Sequence, residues 1–199
     1  MLNIAVIVGS TRESRFAMKP SNWILDIAKN RDDMNVELLD LQDFDLPFFN
    51  EVASNAWAPT QNENAVKWQE KLAEFDGYVF VTAEYNRSIT GALKNALDQA
   101  YVEWNHKPMG IVSYGSVGGT RAAEHLRMIG VELQMVPVRS TVAIGGAAFM
   151  KVHPMGENGP MSEIEDAVLG SANSMLDDIV WWGNATKSAR AESEQSEAA

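Results

Sequence analysis

Short runs of consecutive apolar residues, each ended by glycine or a polar turn, alternate along this chain with stretches whose apolar residues fall three and four apart. Leu2-Asn3-Ile4-Ala5-Val6-Ile7-Val8 is the first run, mostly β-branched and closed by Gly9, which is how a strand buried on both faces reads. Trp23, Ile24, Ile27 and Ala28 then recur at helical spacing, and a second strand is predicted at Val36 to Leu41. The segment Gln42 to Pro59 is rich in Asp, Pro and aromatic residues without a period and is expected to be a surface loop. Ala65, Trp68, Leu72 and Phe75 mark the next helix, and Gly77 introduces the strand Tyr78-Val79-Phe80-Val81-Thr82. A helix capped at Thr90 follows, with Leu93, Ala96, Leu97 and Ala100 on one face. Met109 to Ser113 is the fourth strand, Ala122, Leu126, Ile129 and Leu133 the next helix, and Val138 to Ile144 the fifth strand. The last helix is predicted to open on the capping box Ser162-Glu163-Ile164-Glu165 and to carry Val168, Ala172, Met175, Leu176 and Ile179 inward.

Five strands alternating with five helices imply right-handed crossovers and a parallel sheet with helices on both faces, a doubly wound α/β fold. Residues 1–184 read as a single domain. From Ala185 to Ala199 the chain is dominated by Ala, Ser and Glu with no apolar face, so a disordered tail is expected.

In such a sheet, ligands collect beyond the carboxyl ends of the strands, where strand order reverses. Three loops leave those ends: Gly9 to Arg15, Ala83 to Ile89 and Tyr114 to Gly119. In the first, Gly9 permits a tight turn, Ser10 and Thr11 offer hydroxyls and backbone N–H groups, and the following helix aims its positive end at the same point. Arg12 and Arg15 add fixed charge, which suits a phosphate monoester. No Gly-x-Gly-x-x-Gly or Gly-Lys-Ser/Thr occurs at this loop, so a mononucleotide fits better than a tightly held dinucleotide or ATP.

Composition narrows the partners. The 199 residues carry a net charge of −11, which opposes nucleic acid and anionic lipid. The chain has no cysteine, which excludes disulfides and thiolate chemistry and agrees with a reducing cytoplasm. No apolar run approaches the ~18 residues of a membrane span, and no signal peptide is read at the start. The three histidines, His106, His125 and His153, share no ligand spacing, so no metal site is predicted and they read as structural or surface residues. Arg121 is left open between an anion contact and an ion pair.

Gly9-Ser10-Thr11-Arg12, Glu84-Tyr85-Asn86-Arg87-Ser88-Ile89-Thr90-Gly91 with Leu93-Lys94-Asn95-Ala96-Leu97-Asp98, and Gly118-Gly119-Thr120-Arg121-Ala122 together resemble the NADPH-dependent FMN reductase family, which includes chromate, quinone and azo-dye reductases. The resemblance runs in order over residues 2 to 145. It implies a flavodoxin-like sheet of order 2-1-3-4-5 and bound FMN, with NADPH or NADH as hydride donor. It further implies that Ser10, Thr11, Arg12 and Arg15 hold the FMN phosphate. Ala83, Glu84, Tyr85, Asn86 and Ser88 would line the flavin ring, largely through backbone groups. Ser113, Gly115 and Val117 would approach the ring's far edge. Where the family usually has proline before Glu-Tyr-Asn and before the glycine, this chain has Ala83 and Thr90.

The expected activity is transfer of hydride from nicotinamide to flavin and then of electrons to a small acceptor: quinone, free flavin, metal or azo compound. Because the cofactor supplies the chemistry, no side-chain acid or base is required. Arg87 is expected to steer the phosphate of the nicotinamide cofactor. A flavodoxin-type electron carrier, favoured by the acidity of the chain, is the competing expectation. Trp57, Trp104, Trp181 and Trp182 are read as surfaces needing cover, so a homodimer or homotetramer is expected.

Overall fold

The computed structural model describes residues 1–197. Five strands form one parallel sheet of order β2-β1-β3-β4-β5. They are β1 (Leu2–Val8), β2 (Met34–Asp40), β3 (Gly77–Ala83), β4 (Pro108–Tyr114) and β5 (Val136–Ile144). Every residue of β3 and β4 is buried, which is why these segments read as apolar runs rather than alternating ones. The order reverses between β1 and β3, so the loops after these two strands diverge at the switch point and leave a groove there.

One face of the sheet carries α1 (Met18–Lys29) and α6 (Glu165–Glu197), whose Trp23, Ile24, Val168, Met175, Leu176 and Ile179 pack on Ile4, Val6, Val79 and Val112. The other carries α2 (Glu63–Ala73), α3 (Gly91–Asp98) and α4 (Thr120–Glu132) over Ala5, Ile7, Phe80 and Ile111. A short α5 (Gly146–Val152) follows β5, a helix that no apolar period announces. On the second face Trp68, Tyr78 and Trp104 meet edge to face at 4.8–6.1 Å, a geometry worth roughly 0.5–1.5 kcal/mol per pair beyond burial. Trp104 is fully buried in this cluster and is not one of the exposed aromatics expected. The polar residues around it, Glu103, Asn105 and His106, disguise a core position.

Two more expectations give way. Residues Met161–Ile164 form a 3₁₀ turn rather than a capping box, and α6 begins at Glu165. The carboxylate that would close the box accepts the Trp23 indole N–H at 3.2 Å, while Met161 and Ile164 are buried. The presumed tail continues α6 as helix to Glu197; Ala198 and Ala199 lie outside the described residues. Charge does what apolar packing cannot. Lys187 Nζ and Arg190 Nη2 reach the Asp76 carboxylate at 2.8 and 3.1 Å, and Arg190 Nη1 donates to the His106 carbonyl at 2.7 Å.

Candidate functional site

At the carboxyl end of β1, the chain turns against its neighbour before it can enter α1. The Gly9 N–H donates to Val81 O at 2.8 Å, and a Cβ at this position would lie 2.8 Å from that same oxygen, so only glycine fits. Ser10 is buried at the base of the turn. Thr11 is exposed, its carbonyl accepts from the Gln42 amide at 2.9 Å, and it faces a cleft of about 460 Å³ shared with Phe48, Gly91 and Ala92. Arg12 reaches across to the next loop, its Nη1 donating to the Tyr85 hydroxyl at 3.2 Å.

Arg15 behaves differently. It turns toward the end of β2 and pairs with Asp40, while its Nε and Nη1 are buried without hydrogen-bond partners. Asp40 also caps the following 3₁₀ turn through Gln42 N at 3.0 Å. Sequence reading missed Asp40; its signal was a carboxylate at the last position of a strand adjacent to the loop.

The loop after β3 is a tight two-residue turn. Tyr85 N donates to Ser88 O at 2.9 Å and Ser88 N to Tyr85 O at 3.0 Å, with Asn86 (φ 50°) and Arg87 (φ 69°) at its tip, both left-handed and exposed. Asparagine tolerates this conformation readily, arginine less so. The Ser88 hydroxyl lies 2.6 Å from His125 Nδ1 on α4. Thr90, standing where the family usually has proline, caps α3 through Leu93 N at 3.1 Å and donates to the Gly9 carbonyl, so it ties this loop to the first one. Ala83 is buried at the strand end.

The carboxylate of Glu84 faces α4 rather than the groove. It accepts from Arg121 Nη1 at 2.7 Å and Arg121 N at 3.1 Å, which resolves Arg121 as an ion pair. Burial works against this carboxylate, but the hydrogen bonds and charge of Arg121 prevail and hold it below its ordinary pKa. Glu84 thus fastens the second loop to the start of α4.

After β4, the chain doubles back on itself. Ser113 is fully buried and its hydroxyl donates to the Gly118 carbonyl at 2.7 Å, so its side chain braces the glycine turn. Gly119 sits at φ 66°, where a Cβ would come within 2.7 Å of Tyr114 N. Gly115 N donates to Ile144 O at 3.2 Å, and Val117 projects into solvent.

Tyr114, which closes β4, was not singled out by sequence. Burial raises its phenol above the ordinary value and the Tyr85 phenol adds to that, while Arg12, Ser10 and Arg15 pull the other way. Groups from the other two loops therefore act on this one phenol. Phe16 stands edge-on to Tyr114 at 5.0 Å and links it to His153, which follows α5.

With that geometry in hand, similarity to known proteins is informative. Residues 2–149 match the NADPH-dependent FMN reductase family. The chain is 36% identical over 180 residues to an NAD(P)H-dependent FMN reductase of a Nectria species, covering 85% of this chain and 84% of that protein. It is 32% identical over 154 residues to a quinone reductase of Pseudomonas putida, covering 73% and 79% respectively. Among solved structures, the flavoenzyme NAD(P)H:(acceptor) oxidoreductase FerB from Paracoccus denitrificans superposes with a TM-score of 0.70 at 23% identity over 90% of this chain and 97% of its own, a likeness of fold. The motifs at three consecutive strand ends, the flavodoxin-like strand order and the match over residues 2–149 agree, and the chain belongs to the NADPH-dependent FMN reductase family.

Proposed function

We propose that this chain is an FMN-dependent NAD(P)H oxidoreductase that passes electrons to a small oxidised acceptor, with a quinone first among the candidates. One observation carries the site assignment: a buried guanidinium in the loop after the first strand, Arg15, has a single carboxylate partner and two unpartnered donors. A buried donor without an acceptor costs about 1–3 kcal/mol, and a phosphate monoester supplies the acceptors these donors require. The donor set fits FMN: Ser10, Thr11, Arg12 and Arg15 for the phosphate, the start of α1 behind them, and no acidic side chain of the loop other than Glu13.

Bound FMN supplies the hydride-accepting and electron-donating chemistry. The rest falls to this chain's residues. Arg12 holds Tyr85 across the groove, so the edge of the ring site is fixed before any ligand enters. The Tyr85–Ser88 turn presents backbone groups, braced by the Glu84–Arg121 pair. The strained Arg87 at its tip is exposed and free to meet a phosphate of the nicotinamide cofactor. In the glycine turn at Gly115–Gly119 the Gly115 and Gly118 N–H groups are bound within the fold, which leaves those of Ser116 and Val117 to serve the far edge of the ring.

The acceptor reading draws on the relatives named quinone reductase and FMN reductase. The competing reading, a flavodoxin-type carrier, draws on the net charge of −11. An absorbance spectrum of FMN-loaded protein under anaerobic NADPH separates them. The expected result is loss of the flavin band, recovery on adding a quinone, and steady NADPH oxidation when both are present. A flavin band unchanged by NADPH or NADH selects the carrier, and protein that binds no FMN rejects both.

A further inference from the structure

Lys19, in the first turn of α1, is half-buried and turned toward the segment after α5. Its ammonium donates to Val152 O at 2.7 Å, Asn158 Oδ1 at 2.9 Å, Gly159 O at 3.0 Å and Asn158 O at 3.3 Å. Four acceptors around one ammonium pin the segment after α5 to the beginning of α1, beside the Gly9–Arg15 loop. The acceptors, from residue 152 onward, lie beyond the family match.

The residue that the clamp holds in place is His153. Its ring lies on Phe149 at 4.4 Å and against Phe16 at 5.1 Å, and Phe16 directly follows Arg15. Met155 N donates to His153 Nδ1 at 3.1 Å, which leaves the proton of the neutral ring on Nε2. Burial first, and then the fields of Arg12 and Lys19, hold the imidazole below its ordinary pKa. The charged groups acting on it are thus both cations, Arg12 from the loop and Lys19 from α1. Its own segment offers only the Met155 N–H, Phe16 and Phe149 are neutral, and Tyr114 behind Phe16 is an un-ionised phenol.

We propose that His153 completes the anion site from outside the loop, taking up a proton on Nδ1 in place of the Met155 N–H hydrogen bond as a phosphate monoester enters beside Arg12, so that the His153 contribution to holding a phosphorylated cofactor strengthens toward mildly acidic pH. This rests on the reading that the Gly9–Arg15 loop holds the FMN phosphate. The sign follows from charge. A dianion brought near an imidazole in the field of two cations reverses that field, so His153 holds more protons in the bound state than in the free state. The part of FMN affinity owed to His153 therefore rises as pH falls between its bound-state and free-state midpoints, against the loss of the phosphate's own second charge near about pH 6. Riboflavin, with the same ring and no phosphate, gains nothing.

The test is an NMR titration of the three histidine rings in the free protein, with saturating FMN and with riboflavin, the His153 signal being assigned by its loss in His153→Asn. The expected result is an upward move of about one pH unit in the His153 midpoint with FMN and none with riboflavin. Alongside it, flavin fluorescence quenching should show FMN bound up to about tenfold more weakly by His153→Asn at pH values below the free-state His153 midpoint, with the difference shrinking as pH rises, vanishing above about pH 8, and riboflavin unaffected. Lys19→Gln should bind flavin while shrinking the FMN-induced shift. FMN that binds and leaves the His153 midpoint unmoved, or moves it no more than riboflavin does, overturns the proposal and leaves the FMN assignment standing. Absence of any quenching overturns both.

Discussion

Arg87 is a bulky L-residue at φ 69°, the second tip position of a turn whose geometry asks for glycine there. A left-handed conformation costs a residue of this kind about 1–2 kcal/mol, so the position keeps its arginine against local preference. Arg87→Gly is expected to stabilise the fold by up to about 1 kcal/mol in a denaturant midpoint. The same variant should raise KM for NADPH severalfold. An unchanged KM for NADPH and NADH alike would show that Arg87 has no part in holding the nicotinamide cofactor. At this scale the meeting of the loops was legible. Arg12 and Tyr85 come together because motifs at neighbouring parallel strand ends must converge. What escaped were partners distant in sequence: Asp40 for Arg15, Tyr114 for the whole cluster, and His153, whose approach depends on the Lys19 clamp. No local pattern encodes them.

Among the elements, strands were the most readable, because a parallel strand buried on both faces can hardly be written except as an unbroken apolar run. The end of α6 was unreadable for the complementary reason. Among the described residues after Ala185 almost nothing is buried, and ion pairs tie this end of α6 to Asp76, more than a hundred residues earlier. Asp76→Ala is therefore expected to accelerate amide exchange over residues 185–197 and to cost about 1 kcal/mol overall. Unchanged protection there would mean that the helix holds itself.

Beside this junction Lys107 is buried, its ammonium donating to Tyr78 Oη at 3.1 Å and Leu72 O at 3.4 Å. Burial, followed by the charge of Arg190, lowers its pKa to about 8 against the opposing pull of Asp76 and Glu103. In the unfolded chain the amine titrates near 10.5, so between about 8 and 10.5 the unfolded state holds more protons and stability rises with pH. Below that window both states are protonated and the full cost of the buried charge, a few kcal/mol, is carried by the fold. Lys107→Met is expected to raise stability by about 1–2 kcal/mol near neutral pH and to flatten the rise. Denaturant midpoints taken near neutrality and at about pH 9.5 for both proteins check this.

For the whole molecule, no helix is long and apolar enough to cross a membrane. Trp57, Trp181, Met128 and Val131 are well exposed on a chain of net charge −11. Self-association into a homodimer or homotetramer is our proposal for their cover, and sedimentation at micromolar concentration should show it; a monomer at all concentrations would reject it. The overall negative field also sets what the site must overcome. An anionic cofactor has to be drawn into an acidic protein, and in the proposed site Arg12, Arg15 and the start of α1 are the local counterweight. The phosphate, rather than the ring, should therefore dominate discrimination. Calorimetric titration of the protein and of Arg15→Met with FMN and riboflavin measures this directly. FMN should bind at least about tenfold more tightly than riboflavin, and the gap should narrow severalfold in Arg15→Met with riboflavin affinity unchanged. Equal affinities for the two flavins, or a gap that the loss of Arg15 leaves unchanged, would contradict a phosphate held in the Gly9–Arg15 loop.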